Sequence, residues 1–500
     1  MPYYKEIEWE NLQNEKIFKE SEWIFKFPFE MSRITRINIK RDEFYNIHIE
    51  IICKPHNLPN EIKQIQTIEY IKITGRYSQK EYLIENSSIL QYGTTVENGE
   101  KTIYLNLSTT KLLFYLTDDE KPAWIKEWYL NGPHKKIIFH RSIAYSKKEI
   151  FEKEYDNSVE ELRVGNRFKI EIPKKEIMSM NYMFCKLNDE ENIIINAVPD
   201  TMNPSWSNNI CISYNSQELI ENINLRRDIG NIISFIFGRR LIKIGESHYN
   251  TKGVKIKEEI FNPEIDKRFN IKTLCKSLDN FPIPLDKYGR VQIESTISIL
   301  INSFIDKNDT LDFTSMFINY WSSTYLPPES KVILLAASLE SIMNKWFESE
   351  NSKRKTRIIE KSVYKKLIKD IRPLFEEKFG ECKLIMNNFN QMNELSINKS
   401  FERFFKEIGL KVGDVEIEAI KSRNDPVHGN DLDTETICNL IIYSKIYQVM
   451  LNRVILILLN YEGEYVVTNL IQPILISDKI PYTLETLRDE VFEIKSYDIN

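Results

Sequence analysis

The strongest constraint on the fold is a change of hydrophobic period near residue 285. Before it, apolar residues recur every second position. In NIHIEI, Ile47, Ile49 and Ile51 alternate with His48 and Glu50; in IYLNL, Ile103, Leu105 and Leu107 alternate with Tyr104 and Asn106. FKIEI repeats the pattern with Phe168, Ile170 and Ile172. Such alternation predicts strands with one buried and one wet face, and turn signals such as NGP and ENGE separate the runs. One helix interrupts, SQELIENINLRRDIGNIISFIF, with Gly238 at its C-terminal stop; RRLIKIGESHY then reads as another strand.

After residue 285 the spacing becomes helical. VQIESTISILINSFI and DFTSMFINYWSSTYL are amphipathic. Pro327 and Pro328 break the chain before ESKVILLAASLESIMNKWFE. FERFFKEIG, DVEIEAIKSRN and a long final helix starting near Asp433 or Thr434 follow, with EYVVTNLIQPILI as a strand or docked extension. The expected class is therefore a multidomain α+β fold: a β-rich region over residues 1–285, of two lobes meeting near residue 150, ahead of an all-α bundle over 286–500. Five hundred residues fit two or three domains.

Composition narrows the function. With 42% hydrophobic and 28% charged residues the chain is an ordinary globular protein. Its net charge of −5 requires any nucleic-acid contact to come from a local basic patch. The six cysteines are scattered without a C-x-x-C pair, as expected of free thiols in a reducing compartment. The apolar run VILILLN is far shorter than a membrane span. These features lead us to expect a cytoplasmic protein without a membrane segment. No P-loop, G-x-G-x-x-G, H-E-x-x-H or G-x-S-x-G string occurs. His56, His134, His140 and His248 lack companions at metal-ligand spacing, so neither a metal nor a cofactor is expected.

The densest chemistry is SRNDPVHGND, residues 422–431. Pro426 disfavours helix at Asp425, and Gly429 permits a helix end. Arg423 is then in the last turn of one helix and His428 in the turn beyond. On a continuous helix, five positions at about 100° each would point them about 140° apart; a break lets them converge. The segment resembles the signature of HEPN ribonuclease domains, in the RN…HG form of the ApeA-like family of prokaryotic antiphage proteins. Arg423, Asn424, His428 and Gly429 carry the match, and Leu339–Glu340 in AASLESI is a weaker second one. The layout of a β-rich half before a helical bundle is also similar.

The resemblance implies a metal-independent endoribonuclease that works as a homodimer, or a higher even oligomer, with two motifs across one cleft. Its chemistry suits the residues. Histidine titrates near neutrality and serves as base or acid, arginine forks onto phosphate oxygens, and Asn424 can orient either through its amide. Asp425, Glu340 and Gly429 are supporting residues. Each has a plainer reading: His428 as a helix-end histidine, Arg423 with Asp425 as a surface ion pair, Glu340 as either a partner of the motif or the wet edge of its helix.

A second feature is SKRKTRIIEKSVYKKLIKDIR. From Lys353 to Arg372, nine basic residues stand against two acidic ones, a local charge of +7. Lys353, Arg354, Arg357, Lys361, Lys365 and Lys369 are the expected RNA contacts, Tyr364 a stacking ring or core residue, and a solvated face the plainer reading. The partners expected are RNA, with tRNA anticodon loops favoured, a second copy of the chain, and a phage-derived protein trigger sensed by residues 1–285. The alternative is a non-catalytic HEPN module for dimerisation or nucleotide binding, with a ligand-sensing β-rich half.

Overall fold

The computed structural model describes residues 15–28, 34–42, 44–54, 67–97, 100–109, 111–116, 121–133, 141–145, 150–154, 179–188, 191–198, 209–263, 281–285, 290–324, 326–349, 356–423, 434–466 and 496–498. The chain divides into two compact units, residues 1–279 with 285–298, and residues 280–284 with 299–500. A large antiparallel sheet fills the first and helices make up most of the second, an α+β layout.

The sheet of the first unit has sixteen strands. Its pivot is the long strand Lys80–Glu97, paired along one half with Glu100–Thr109 and along the other with Lys111–Leu116. From Glu100–Thr109 the sheet runs through Ile47–Cys53 and Ile34–Arg41 to Lys16–Lys19. From Lys111–Leu116 it runs through Lys255–Phe261, Ile242–Tyr249, Trp124–Leu130, Asn209–Tyr214 and Glu191–Val198 to Ser179–Leu187, Arg141–Tyr145 and Ile150–Glu154.

Register follows the alternation. Ile49 faces Ile39 on one side and Leu107 on the other; Ile51 faces Ile37 and Leu105. All six are buried in one cluster, and each apolar side chain fully buried contributes about 1.5–3 kcal/mol. A one-residue slip would turn the whole set to water. The FKIEI segment lies outside the described residues.

The helix expected over 216–237 is two helices, α1 (Gln217–Glu221) and α2 (Ile223–Ile236). Asn222 explains the break: its side chain accepts from the Leu225 N–H, a capping bond that starts a new helix. Gly238 ends α2 with φ 59°, as its position suggested. Tyr129 packs so close to Gly230 that a Cβ there would lie 3.0 Å from its hydroxyl.

The remaining helices are α3 (Arg290–Leu311), α4 (Phe313–Ser323), α5 (Pro328–Ser349), α6 (Lys361–Leu367), α7 (Arg372–Phe379), α8 (Lys383–Gln391), α9 (Ile397–Ile408), α10 (Asp414–Ser422) and α11 (Thr434–Leu458). The ends match local chemistry. Asp312 caps α4 through the Ser315 N–H, Pro328 opens α5, Ser396 caps α9, and Gly409 closes it at φ 79°. In the second unit α5 packs against α4, α9 and α11, and α10 against α11. Ser303 Oγ (2.6 Å) and Lys307 Nζ (2.5 Å) donate to the Leu459 and Leu458 carbonyls, satisfying the end of α11. Of the tail, Glu464–Val466 pairs with Ser496–Asp498.

The stretch Asn439–Leu458 is long and apolar enough to cross a membrane, with mean hydropathy 1.4, yet 78% of it is buried inside the fold. Its apolarity has a packing cause: Leu440, Ile446, Met450, Val454 and Ile455 are core residues.

Candidate functional site

Arg423 is the C-terminal cap residue of α10, the position the sequence suggested for it. Its Nη1 lies 3.6 Å from Glu340 Oε2 on α5, and its guanidinium sits 5.8 Å over the ring of Phe401 on α9. The Arg423 side chain is 15% exposed and that of Glu340 43%. Glu340 thus stands at the half-exposed edge of α5 with its carboxylate toward Arg423. An ion pair this exposed contributes at most about 1 kcal/mol, and a ring contact about as much. Their effect is to aim the guanidinium rather than to hold the fold. Asn424, Asp425, His428 and Gly429 lie outside the described residues. The last helix begins at Thr434, as expected from its capping chemistry.

Beneath this group lies a residue that the sequence did not reveal. Tyr447, on α11, is fully buried, and its hydroxyl has no hydrogen-bond partner among the described residues. Burial pushes its phenol well above the ordinary value; Arg423 pulls the other way and Glu340 adds to the rise. An orphaned buried hydroxyl costs about 1–3 kcal/mol. In sequence, Tyr447 sits inside an apolar helical run and reads as core.

The basic segment is resolved into its parts. Lys353 and Arg354 lie outside the described residues. Arg357 is half-buried, its backbone forms an isolated antiparallel β-bridge with that of Glu394, and its carbonyl accepts from Arg403. Lys361, Lys365, Lys366 and Lys369 are exposed, and none makes an ion pair among the described residues. Arg372 pairs with Glu376 at 2.8 Å. Tyr364 is half-buried and donates to the Phe389 carbonyl at 3.3 Å, which ties its ring to α8. The basic side chains of this stretch that make no ion pair among the described residues therefore centre on α6 and the turn after it.

A further concentration of charge lies in the first unit, and sequence reading missed it. Glu127, 1% exposed, takes Arg226 Nε at 3.0 Å and Lys243 Nζ at 2.6 Å on one oxygen. Its other oxygen accepts from Tyr129 at 2.7 Å and Tyr214 at 3.2 Å. Glu246 joins Lys243 (2.7 Å), Arg226 (3.5 Å) and His248 (2.8 Å). Burial alone would raise the Glu127 carboxyl, but Lys243 and Arg226 bring it below its usual range. The strand period puts Glu127 and Tyr129 on one face, and Glu246 and His248 likewise. Arg226 also donates to the Leu219 and Ile220 carbonyls at the end of α1, so the cluster fastens the helices to the sheet.

Among the described residues no group of histidine, cysteine and carboxylate side chains is arranged to hold a metal. Compared with known proteins, the chain matches no family model, no curated protein and no solved structure.

Proposed function

We propose that this chain is a metal-independent endoribonuclease of the HEPN type, an antiphage effector that cuts RNA in single-stranded loops. The observation that supports the reading is Arg423. It closes α10 with its guanidinium fixed by Glu340 and Phe401, five residues before His428 and in the RN…HG context.

In the reaction, the 2′-oxygen attacks the adjacent phosphorus and the 5′-oxygen leaves, giving a 2′,3′-cyclic phosphate and a free 5′-hydroxyl. One imidazole removes the 2′-proton and a second protonates the leaving oxygen. The Arg423 guanidinium neutralises the charge gathering on the phosphorane oxygens. One histidine cannot serve both sides of a phosphate, so two copies of the chain supply the pair, and the active species is a homodimer or a higher even oligomer. Loops such as tRNA anticodon loops suit this chemistry, because a stacked duplex denies the in-line geometry. Residues 1–285 restrain the helical half until a phage-derived protein engages them.

The test is cleavage of tRNA and loop RNA in EDTA, with light scattering of the same samples. Cleavage by the wild type that survives EDTA and falls by at least about 100-fold in His428→Ala and Arg423→Ala is the expected result. Full activity in His428→Ala, strict need for added Mg²⁺, or an active monomer would each sink it. A chain that binds but never cuts would point to the non-catalytic module.

A further inference from the structure

The helix α3 belongs to both compact units: its residues up to Ser298 fall in the first and those from Ile299 in the second. Each half is tied by its own hydrogen bonds. In the first unit, the strand Ser179–Leu187 pairs along one edge with Glu191–Val198. Along the other edge Arg141–Tyr145 pairs with it only up to Tyr182 among the described residues. Beyond that point α3 takes the place of a strand. The Phe184 N–H donates to Glu294 Oε1 at 3.0 Å and the Lys186 N–H to Ser298 Oγ at 2.8 Å. Alternate N–H groups of a strand point to the same edge, and here they meet side chains one turn apart on one flank of a helix. Ser298 Oγ in turn donates to the Glu294 carbonyl at 2.6 Å, which fixes its orientation.

In the second unit Ser303 and Lys307 hold the end of α11 through the Leu459 and Leu458 carbonyls. At about 100° per residue these two stand across the helix from Glu294 and Ser298. Between the two flanks runs one buried stripe, Ile293, Ile297, Leu300, Ile301 and Phe304, continuous from one half of α3 to the other. Phe304 stacks on Phe313 and Phe317 of α4. Neither proline nor glycine occurs in Arg290–Leu311, so α3 lacks the residues that most often kink a helix over its length of about 33 Å.

We propose that α3 is a rigid coupling rod. Glu294 and Ser298 sense whether the strand edge at Phe184 and Lys186 is held, and Ser303 and Lys307 carry that state to the end of α11. A peptide that adds to this edge as a strand needs the same two N–H groups, so it displaces both side chains together. Coupling of this kind is reciprocal: loosening the α11 end of the rod loosens the strand edge. Its use to restrain RNA cleavage rests on the proposed ribonuclease activity; the coupling itself does not.

The experiment is hydrogen exchange of the full chain, read at both ends of α3. Glu294→Ala combined with Ser298→Ala removes both acceptors and leaves good helix formers in their place. The Phe184 and Lys186 amides then exchange at least about tenfold faster, as do those of Leu459, Asn460 and Tyr461, which are bonded to Ile455, Ile457 and Leu456. Ser303→Ala combined with Lys307→Met frees the end of α11 and speeds Phe184 and Lys186 in turn. Glu294→Gln keeps an oxygen acceptor and exchanges as wild type does. The strand Trp124–Leu130 is the reference and stays within about twofold of wild type, which separates coupling from a general loss of stability. Should the double variant speed the reference too, Ser298→Ala alone gives the same reading at Lys186 and Leu459. Acceleration confined to the mutated end overturns the proposal. The same samples are assayed for RNA cleavage without a trigger. Coupled exchange with cleavage raised at least about tenfold supports restraint through α3. Coupled exchange with unchanged cleavage supports the rod and removes the restraint from the proposed function.

Discussion

The lysines of α6 and the turn after it give a prediction whose size can be worked out in advance. Lys361, Lys365 and Lys369 are exposed and make no ion pair among the described residues, and α6 buries no side chain. Changing all three to glutamine therefore removes charge without disturbing packing. Each single-strand phosphate contact contributes about 0.7 to the slope of log affinity against log salt, so three lost contacts flatten it by about 2. Between about 50 and 200 mM salt the wild type should then lose about 20-fold more affinity than the triple variant. The assay is fluorescence anisotropy of a labelled single-stranded RNA, titrated at four salt concentrations. Lys399→Gln is the control: Lys399 is tied to Glu402 at 2.6 Å, and its loss should leave the slope alone. Triple-variant and wild-type slopes within about 0.5 of each other would mean that these lysines form only a solvated face.

Two further outcomes concern stability. Glu127→Gln strands Arg226 and Lys243 with one carboxylate between them, at a cost of about 3 kcal/mol at neutral pH. In urea unfolding or hydrogen exchange of the strand Trp124–Leu130, amides should exchange about 100-fold faster; a change under threefold would refute the account. The folded carboxyl lies below its ordinary value, so its contribution is present above about pH 4.3 and lost as the pH falls further. The gap between variant and wild type should narrow over that range. Tyr447→Phe removes a buried hydroxyl that has no partner among the described residues while keeping the ring, and should raise stability by about 1 kcal/mol in denaturant titration; a loss of that size would mean that the hydroxyl has a partner.

What the sequence made legible was whatever a single period encodes. Ile47, Ile49 and Ile51 announce their face, and Asp312, Pro328 and Gly409 mark helix ends through chemistry that acts within a few residues. The position of Arg423 at the end of α10 was readable for the same reason. The Glu127 cluster was not. Alternation assigns Lys126, Trp128 and Leu130 to one face of their strand and Glu127 and Tyr129 to the other, but the second face is buried too, so its polar character misleads. Tyr447 is invisible for a related reason: its meaning depends on which helices meet, and helix contacts leave no local mark. The lysine-rich stretch hid α6, α7 and α8 because its apolar residues are not paired with a core.

That last feature bears on how the molecule comes apart. Among the described side chains of α6, α7 and α8 the only buried apolar one is Phe389, stacked on Phe375 at 4.4 Å, while Val363, Leu367, Ile371, Leu374 and Leu384 stand in water. A segment with so little burial opens at a small fraction of the free energy needed for α5 or α11. Proteases should nick residues 356–396 long before they reach the bundle, leaving two stable pieces. Any polyanion gripped there must first freeze a piece of chain that fluctuates on its own, and its binding entropy will carry that cost.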